Sequence, residues 1–255
     1  MFSTIKGILR PFIPRRVLEA RRRYIQEREV KNEDAIFQSK SPRQIFSEIY
    51  SKAMWGKVKD SDNFSSGHGS HLSTHVEPYV TAVAEFFQSF AAPKDIVDLG
   101  CGDFNVGRQI RPYCANYVAC DVVPSLIERN KGKFRQLDVD FRCIDIIEDS
   151  LPEGNVVIIR QVLQHLSNDH IHKVVGKLFG YKYLILTEYI PEGGFIPNID
   201  QPTGRFSRLA RGIQSGIVLT KEPFLLKVNN ERAICSTPEP SGLVTTVVYE
   251  LPDHV

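Results

Sequence analysis

The sequence predicts an α/β fold, a seven-stranded and mostly parallel sheet with an antiparallel edge hairpin and an N-terminal helical extension. Three observations predict it. Short β-branched runs recur along the chain and alternate with stretches long enough for helices. Those runs are apolar throughout, the pattern of strands covered on both faces. A glycine-rich turn follows the first of them and opens a helix, as at the ligand-binding edge of open α/β sheets.

Length and composition suit that architecture. The chain has 255 residues, 42% of them hydrophobic, enough to bury the core of one domain with an appendage and to exclude disorder for most of its length. Thirty-two basic and 30 acidic side chains leave a net charge of +2, too balanced for a dedicated nucleic-acid binder. The balance is uneven, because residues 1–31 hold nine basic and three acidic side chains while the remaining 224 hold 23 and 27. Residues 1–40 therefore read as a basic amphipathic extension and 41–255 as the domain. The extension interleaves Phe2, Ile5, Ile8, Leu9, Phe12 and Ile13 with Lys6 and Arg10, then turns basic from Arg15-Arg16 to Arg21-Arg22-Arg23. Two readings of it stay open: peripheral contact with an anionic membrane, and an arm packed on the domain or on a partner subunit. No run approaches 18 apolar residues, and the N-terminus lacks the pattern of a secretory signal. Five cysteines without C-x-x-C spacing read as reduced thiols of a cytoplasmic protein.

The elements follow in order. Ser41 before Pro42 predicts a short capped helix over 41–50, leading to Trp55. The stretch 60–73, rich in Ser, Gly and Asn, is a loop, and 75–90 is a helix whose stripe is Val76, Val80, Val83, Ala84, Phe86 and Phe87. Strands are expected at 96–99, 117–120, 141–144, 156–159 and 183–187, with helices at 106–113, 124–133 and 168–178 between them. Two further strands, 224–228 and 244–251, are expected to pair antiparallel at one edge. The segment 191–220 is too long for a simple connection. Its Arg205, Arg208 and Arg211 suit either an anionic group on a substrate or a solvated face.

The sharpest signal is Asp98-Leu99-Gly100-Cys101-Gly102 at the end of the first strand, with Asp121 ending the second. Glycines allow a tight turn and close approach of a ligand, and an acid at the second strand's end can accept both hydroxyls of a ribose. The dinucleotide spacing G-x-G-x-x-G is broken at Asn105, which argues against a nicotinamide enzyme. The pattern resembles the class I S-adenosylmethionine-dependent methyltransferases, whose Rossmann-like fold carries a similar first motif. The resemblance implies S-adenosylmethionine as cofactor, with Gly100 and Gly102 at its methionine portion and Asp98 organising the turn. It further implies Asp121 on the ribose, Asp145 on the adenine amino group and Ile146 against the adenine ring. The segment Arg160-Gln161-Val162-Leu163-Gln164-His165-Leu166 resembles the one that closes over the reactive methyl group, with Gln161 as a cofactor contact.

His165 is the candidate catalytic base, since imidazole titrates near neutral pH. A helix-capping or backbone-bonding role is equally open. Trp55, His68 and Glu188 are the candidate substrate contacts. His68, His71 and His75 would make a metal site only on a helix, which the glycines around His68 oppose, so no metal is expected. The resemblance thus implies methyl transfer to a small polar acceptor, namely O-methylation of a sugar or glycan-related molecule, with no nucleic-acid partner. The alternatives are a protein or other N-methyltransferase and a noncatalytic cofactor-binding module.

Overall fold

In the computed structural model, described over residues 15–56 and 64–253, the chain divides into two compact units, Met1–Ser39 and Lys40–Val255. The first contains helix α1 (Arg15–Phe37), which carries the basic stretch. The apolar positions Phe2 to Ile13, on which the membrane reading rests, lie outside the described residues. No described helix is long and apolar enough to cross a membrane.

The second unit opens with α2 (Pro42–Ser51). Ser41 caps it as expected: its hydroxyl accepts the Gln44 N–H at 3.3 Å, and Gln44 Oε1 accepts the Ser41 N–H at 2.9 Å. Helix α3 (Ser73–Gln88) buries Val76, Val83, Phe86 and Phe87. There follow β1 (Ile96–Leu99), a short α4 (Gly107–Ile110), β2 (Tyr117–Asp121), α5 (Pro124–Lys133), β3 (Asp140–Cys143), β4 (Val156–Arg160), α6 (Asn168–Val175), β5 (Tyr183–Ile190), β6 (Asn230–Glu239) and β7 (Gly242–Glu250). The sheet order is β3-β2-β1-β4-β5-β7-β6. β3 to β5 run parallel, and β7 joins β5 and β6 antiparallel.

Side chains alternate across this sheet with the period of a strand. Ile96, Val156 and Ile158 pack with Tyr79 and Val83 of α3, whereas Val97, Leu99, Val157 and Ile159 pack with Ile171 and Val174 of α6. Both faces are covered, so the central strands β1, β2 and β4 are apolar apart from Asp98 in β1 and the terminal Asp121 and Arg160 of β2 and β4. β3 departs from that pattern: at the sheet edge only Phe141 of its four residues is buried.

The expected strand at 224–228 does not form. Phe224 is buried and Leu226 and Val228 pack on the core as irregular chain, while the edge strand is the more polar stretch Asn230–Glu239. The connection that reaches it is stapled by its own polar residues. Asn198 donates to the Val218 and Glu222 carbonyls at 2.9 and 2.8 Å and accepts the Val218 N–H at 2.9 Å. Arg208, 2% exposed, donates to Ile199 O and Asn168 Oδ1 at 2.6 and 2.9 Å. That arginine holds the fold and is not a surface for an anion.

Candidate active site

The carboxyl ends of β1 to β4 border a cavity of about 460 Å³, within the range of small-molecule and cofactor sites. Its floor is the glycine turn after β1. Gly100 and Gly102 have φ of +79° and +56°, and a Cβ at Gly102 would lie 2.2 Å from Ser66 Oγ. Glycine is thus required there on two counts, backbone conformation and space. Asp121 fixes the turn from β2: its Oδ2 accepts the Gly102 N–H at 3.1 Å and its Oδ1 accepts the Val123 N–H at 3.0 Å. Asn130 of α5, fully buried, donates to Gly102 O at 2.7 Å. Asp98, expected to organise the turn, lines the cavity but accepts instead from the Tyr117 hydroxyl at 2.8 Å. The turn is organised by Asp121 and Asn130.

Burial raises both acids, Asp98 to about 7 and Asp121 to about 6; the Tyr117 hydroxyl opposes it for the first, and the Val123 and Gly102 amides for the second. Beyond β3, Asp145 and Ile146 line the same cavity, and Asp145 Oδ1 accepts the Ile147 N–H at 2.9 Å.

A loop over residues 64–72 crosses the glycine turn and is latched to it by Asp103. The Asp103 Oδ2 accepts the Ser66 N–H at 2.9 Å and lies 2.6 Å from His71 Nε2, while the Asp103 N–H reaches Ser66 Oγ at 2.7 Å. Burial pushes the Asp103 carboxyl up, but His71 with the Ser66 and Asn105 amides outweighs it and holds the group below the ordinary carboxylate value. The loop brings His68 to the cavity wall, whereas His71 pairs with Asp103 and His75 with Thr237 and Glu239. The three histidines thus serve separate partners.

The end of β4 supplies Arg160, Gln161 and, in a short 3-10 turn, His165. Trp55 lies beside His165, with ring centroids 5.3 Å apart, and its Nε1–H donates to Arg205 O at 3.3 Å. Burial pushes His165 down to about 4, opposed by the backbone of Arg205 and Gly204. The Gln164 amide defines the tautomer. Its oxygen accepts the Tyr189 N–H at 3.1 Å, so its nitrogen, 3.2 Å from His165 Nε2, is the donor and Nε2 accepts. The ring proton is then on Nδ1.

Of the residues named from sequence, Trp55, His68, Asp98, Gly100, Gly102, Asp121, Asp145, Ile146, Gln161 and His165 all line this one cavity. Glu188 does not. It is 2% exposed, and its carboxylate accepts the Leu163 and Gln164 N–H groups, each at 3.0 Å, beneath the His165 turn. Motif reading misses Asp103 and Asn130, and takes in Arg160 only as the first residue of the segment 160–166. The signal for Asp103 was its place directly after Gly102, and for Arg160 a charge ending an apolar strand.

Fold and site together define an α/β protein with a cavity at the carboxyl edge of its sheet, the edge at which open α/β sheets bind ligands. Residues 97–181 match the family described as "Methyltransferase domain". That match spans a third of the chain, from β1 to α6, and identifies this stretch as a methyltransferase domain. Two similar solved structures hold S-adenosylhomocysteine. The N-methyltransferase NodS from Bradyrhizobium japonicum WM9 is 14% identical with a TM-score of 0.53, covering 72% of this chain and 90% of that one. The magnesium protoporphyrin IX methyltransferase ChlM from Synechocystis PCC 6803 is 12% identical with a TM-score of 0.55, covering 83% and 100%. The bifunctional kinase-methyltransferase WbdD is 15% identical with a TM-score of 0.50, covering 71% of this chain and 40% of that one. At such identities the likeness shows the fold. A comparison with curated proteins finds no match.

Proposed function

We propose that the enzyme methylates a hydroxyl group of a small polar acceptor, a sugar or glycan-related molecule. The observation that carries this reading is the wall beyond the cofactor groups, where Phe46, Trp55 and Phe206 stand with Arg205 and His165. Trp55 spends its only N–H on Arg205 O, so it offers apolar ring surface, which suits the C–H faces of a sugar, while the arginine suits its hydroxyls. The cofactor supplies a methyl group on a sulfonium leaving group. Bound there, S-adenosylmethionine would give its methyl carbon to the acceptor oxygen as the carbon–sulfur bond breaks, leaving S-adenosylhomocysteine, with the hydroxyl proton passing to bulk water. Asp121 and Asp145 hold the nucleoside, and the loop over 64–72 excludes water. The same reading sets the reaction in the cytoplasm, consistent with five free cysteines, and gives the basic extension over residues 1–40 to an anionic membrane surface.

The test is incubation of the full chain with S-adenosylmethionine and a panel of sugars, sugar nucleotides, amines and peptides. Mass spectrometry is expected to find a methyl ether on a sugar; transfer only to amines or peptides overturns the reading.

His165 belongs to the acceptor side in this proposal, as an uncharged group. A pKa near 4 keeps it neutral across the working range, and its Nε2 is taken by Gln164, so it shapes the acceptor wall beside Trp55 and is a weak base at best. His165→Ala is expected to lower kcat about ten- to a hundredfold while the affinity for S-adenosylhomocysteine stays within about twofold. The wild-type rate should show no inflection near pH 6.5 from this residue. An inflection there that disappears in His165→Ala restores the general-base role.

A further inference from the structure

Lys177 spends its ammonium on the turn that carries Asp145 and Ile146. Two residues beyond the end of α6, its Nζ donates to the carbonyls of Ile146, Ile147 and Asp149 at 2.8, 2.9 and 2.7 Å. Those are all the donors an ammonium has. Among the described residues no backbone N–H reaches any of the same three carbonyls. The turn is also closed from within: Asp145 Oδ1 accepts the Ile147 N–H at 2.9 Å, and the Asp145 N–H donates to Asp149 Oδ2 at 2.9 Å. Burial lowers the Lys177 ammonium, and the charges of Asp145, Glu148 and Asp149 oppose that. Lys173, one turn earlier on α6, meets the same stretch only through Glu148 at 2.7 Å. Both members of that pair are exposed, and such pairs contribute little.

The residues this turn carries, Asp145, Ile146 and Ile147, line the cavity beyond β3, whereas Lys177 does not. We infer that Lys177 is a positioning residue for recognition of the cofactor's base: it fixes the backbone that sets Asp145 against the exocyclic amino group and Ile146 against the ring. This rests on the proposal that S-adenosylmethionine lies with its adenine on those two residues, and deepens it. Without the ammonium, three carbonyls lose their shared donor, and the turn loses its tie to the chain that follows α6. A hydrogen bond to a base needs its partner held to within about 0.5 Å by surrounding contacts of this kind. Lys177 therefore acts on selectivity for the base without touching it.

Isothermal titration of the full chain with two probes tests this: S-adenosylhomocysteine, and S-inosylhomocysteine, which has an oxo group where the first has the amino group. Wild-type protein is expected to prefer the first by roughly ten- to a hundredfold, the range for a hydrogen bond to a charged group. Lys177→Met should cut that preference to about threefold or less by weakening S-adenosylhomocysteine, leaving the inosine probe within about twofold. Lys177→Arg, which keeps the charge and its donors, should hold the preference within about threefold of wild type. Should Lys177→Met fail to fold, Lys177→Gln carries the test, with a smaller loss confined to the adenine probe. A lowered melting temperature with the preference intact, or equal weakening of both probes, overturns the assignment of Lys177. Wild-type protein that binds both probes alike would instead remove the adenine assignment of Asp145, and the role of Lys177 with it; binding of neither would sink the cofactor reading itself.

Discussion

Asp121→Ala is expected to lower the affinity for S-adenosylhomocysteine by about a hundredfold or more, the largest single effect at the cofactor end. The carboxylate has two duties. It offers acceptors to ribose hydroxyls, and it holds the Gly102 and Val123 amides at 3.1 and 3.0 Å. Truncation removes the first and orphans two buried donors, each costing about 1–3 kcal/mol. Asp121→Asn keeps one carbonyl acceptor and should lose less. Titration calorimetry separates the cases, and unchanged affinity in the alanine variant would reject the ribose assignment.

The same residue gives binding a pH dependence. Burial raises Asp121 to about 6, so acidification protonates it and removes the charge that accepts the hydroxyls. Affinity should fall by about tenfold between pH 7 and pH 5, a slope that Asp121→Asn lacks. Stability of the ligand-free protein runs the other way. The folded value lies above the ordinary 3.8, so the stabilisation from Asp121 is complete below that value and is lost as pH rises through about 6.

Much of this site can be read from sequence because it is made of strand ends. Ile96–Leu99 and Pro124–Lys133 fall where pattern predicts, since buried strands and a proline-initiated helix are written in local residue types. The failures have a common origin in side-chain surroundings. The run at 224–228 is apolar because it packs on the core, but Leu225 has a φ of +49° and the segment forms no ladder. The edge strand Asn230–Glu239 is mostly exposed along its first half, so it carries charge and escapes a search for apolar runs. Arg160 and Arg208 illustrate the same limit. Both are arginines near candidate motifs, yet Arg160 lines the cavity whereas Arg208 lies away from it and donates to Ile199, Asn168 and Leu166. Only tertiary structure distinguishes them.

Glu188 carries the second large effect, on stability and through it on the His165 turn. From β5 its two oxygens accept the Leu163 and Gln164 amides; its neighbour Tyr189 donates its N–H to the Gln164 amide oxygen. The turn that presents His165 is therefore hung from β5 by three hydrogen bonds, two of them to one carboxylate. Glu188→Ala leaves both amides buried and unpaired, at an expected cost of about 3 kcal/mol and a melting temperature lower by roughly 6–12 °C. Glu188→Gln retains one acceptor and should cost about 1 kcal/mol at neutral pH. Burial raises Glu188 to about 8 against the pull of the Gln164 and Leu163 amides and of Arg208. With the folded value above the ordinary 4.5, its stabilisation is complete below that pH and is lost as pH climbs through about 8. The glutamine variant has no such proton to lose. Urea melts at pH 5, 7 and 9 should show the advantage of wild type over Glu188→Gln shrinking as pH rises. An advantage that grows instead would mean the carboxylate is ionised throughout and that its two amides, with the nearby Arg208 charge, outweigh desolvation.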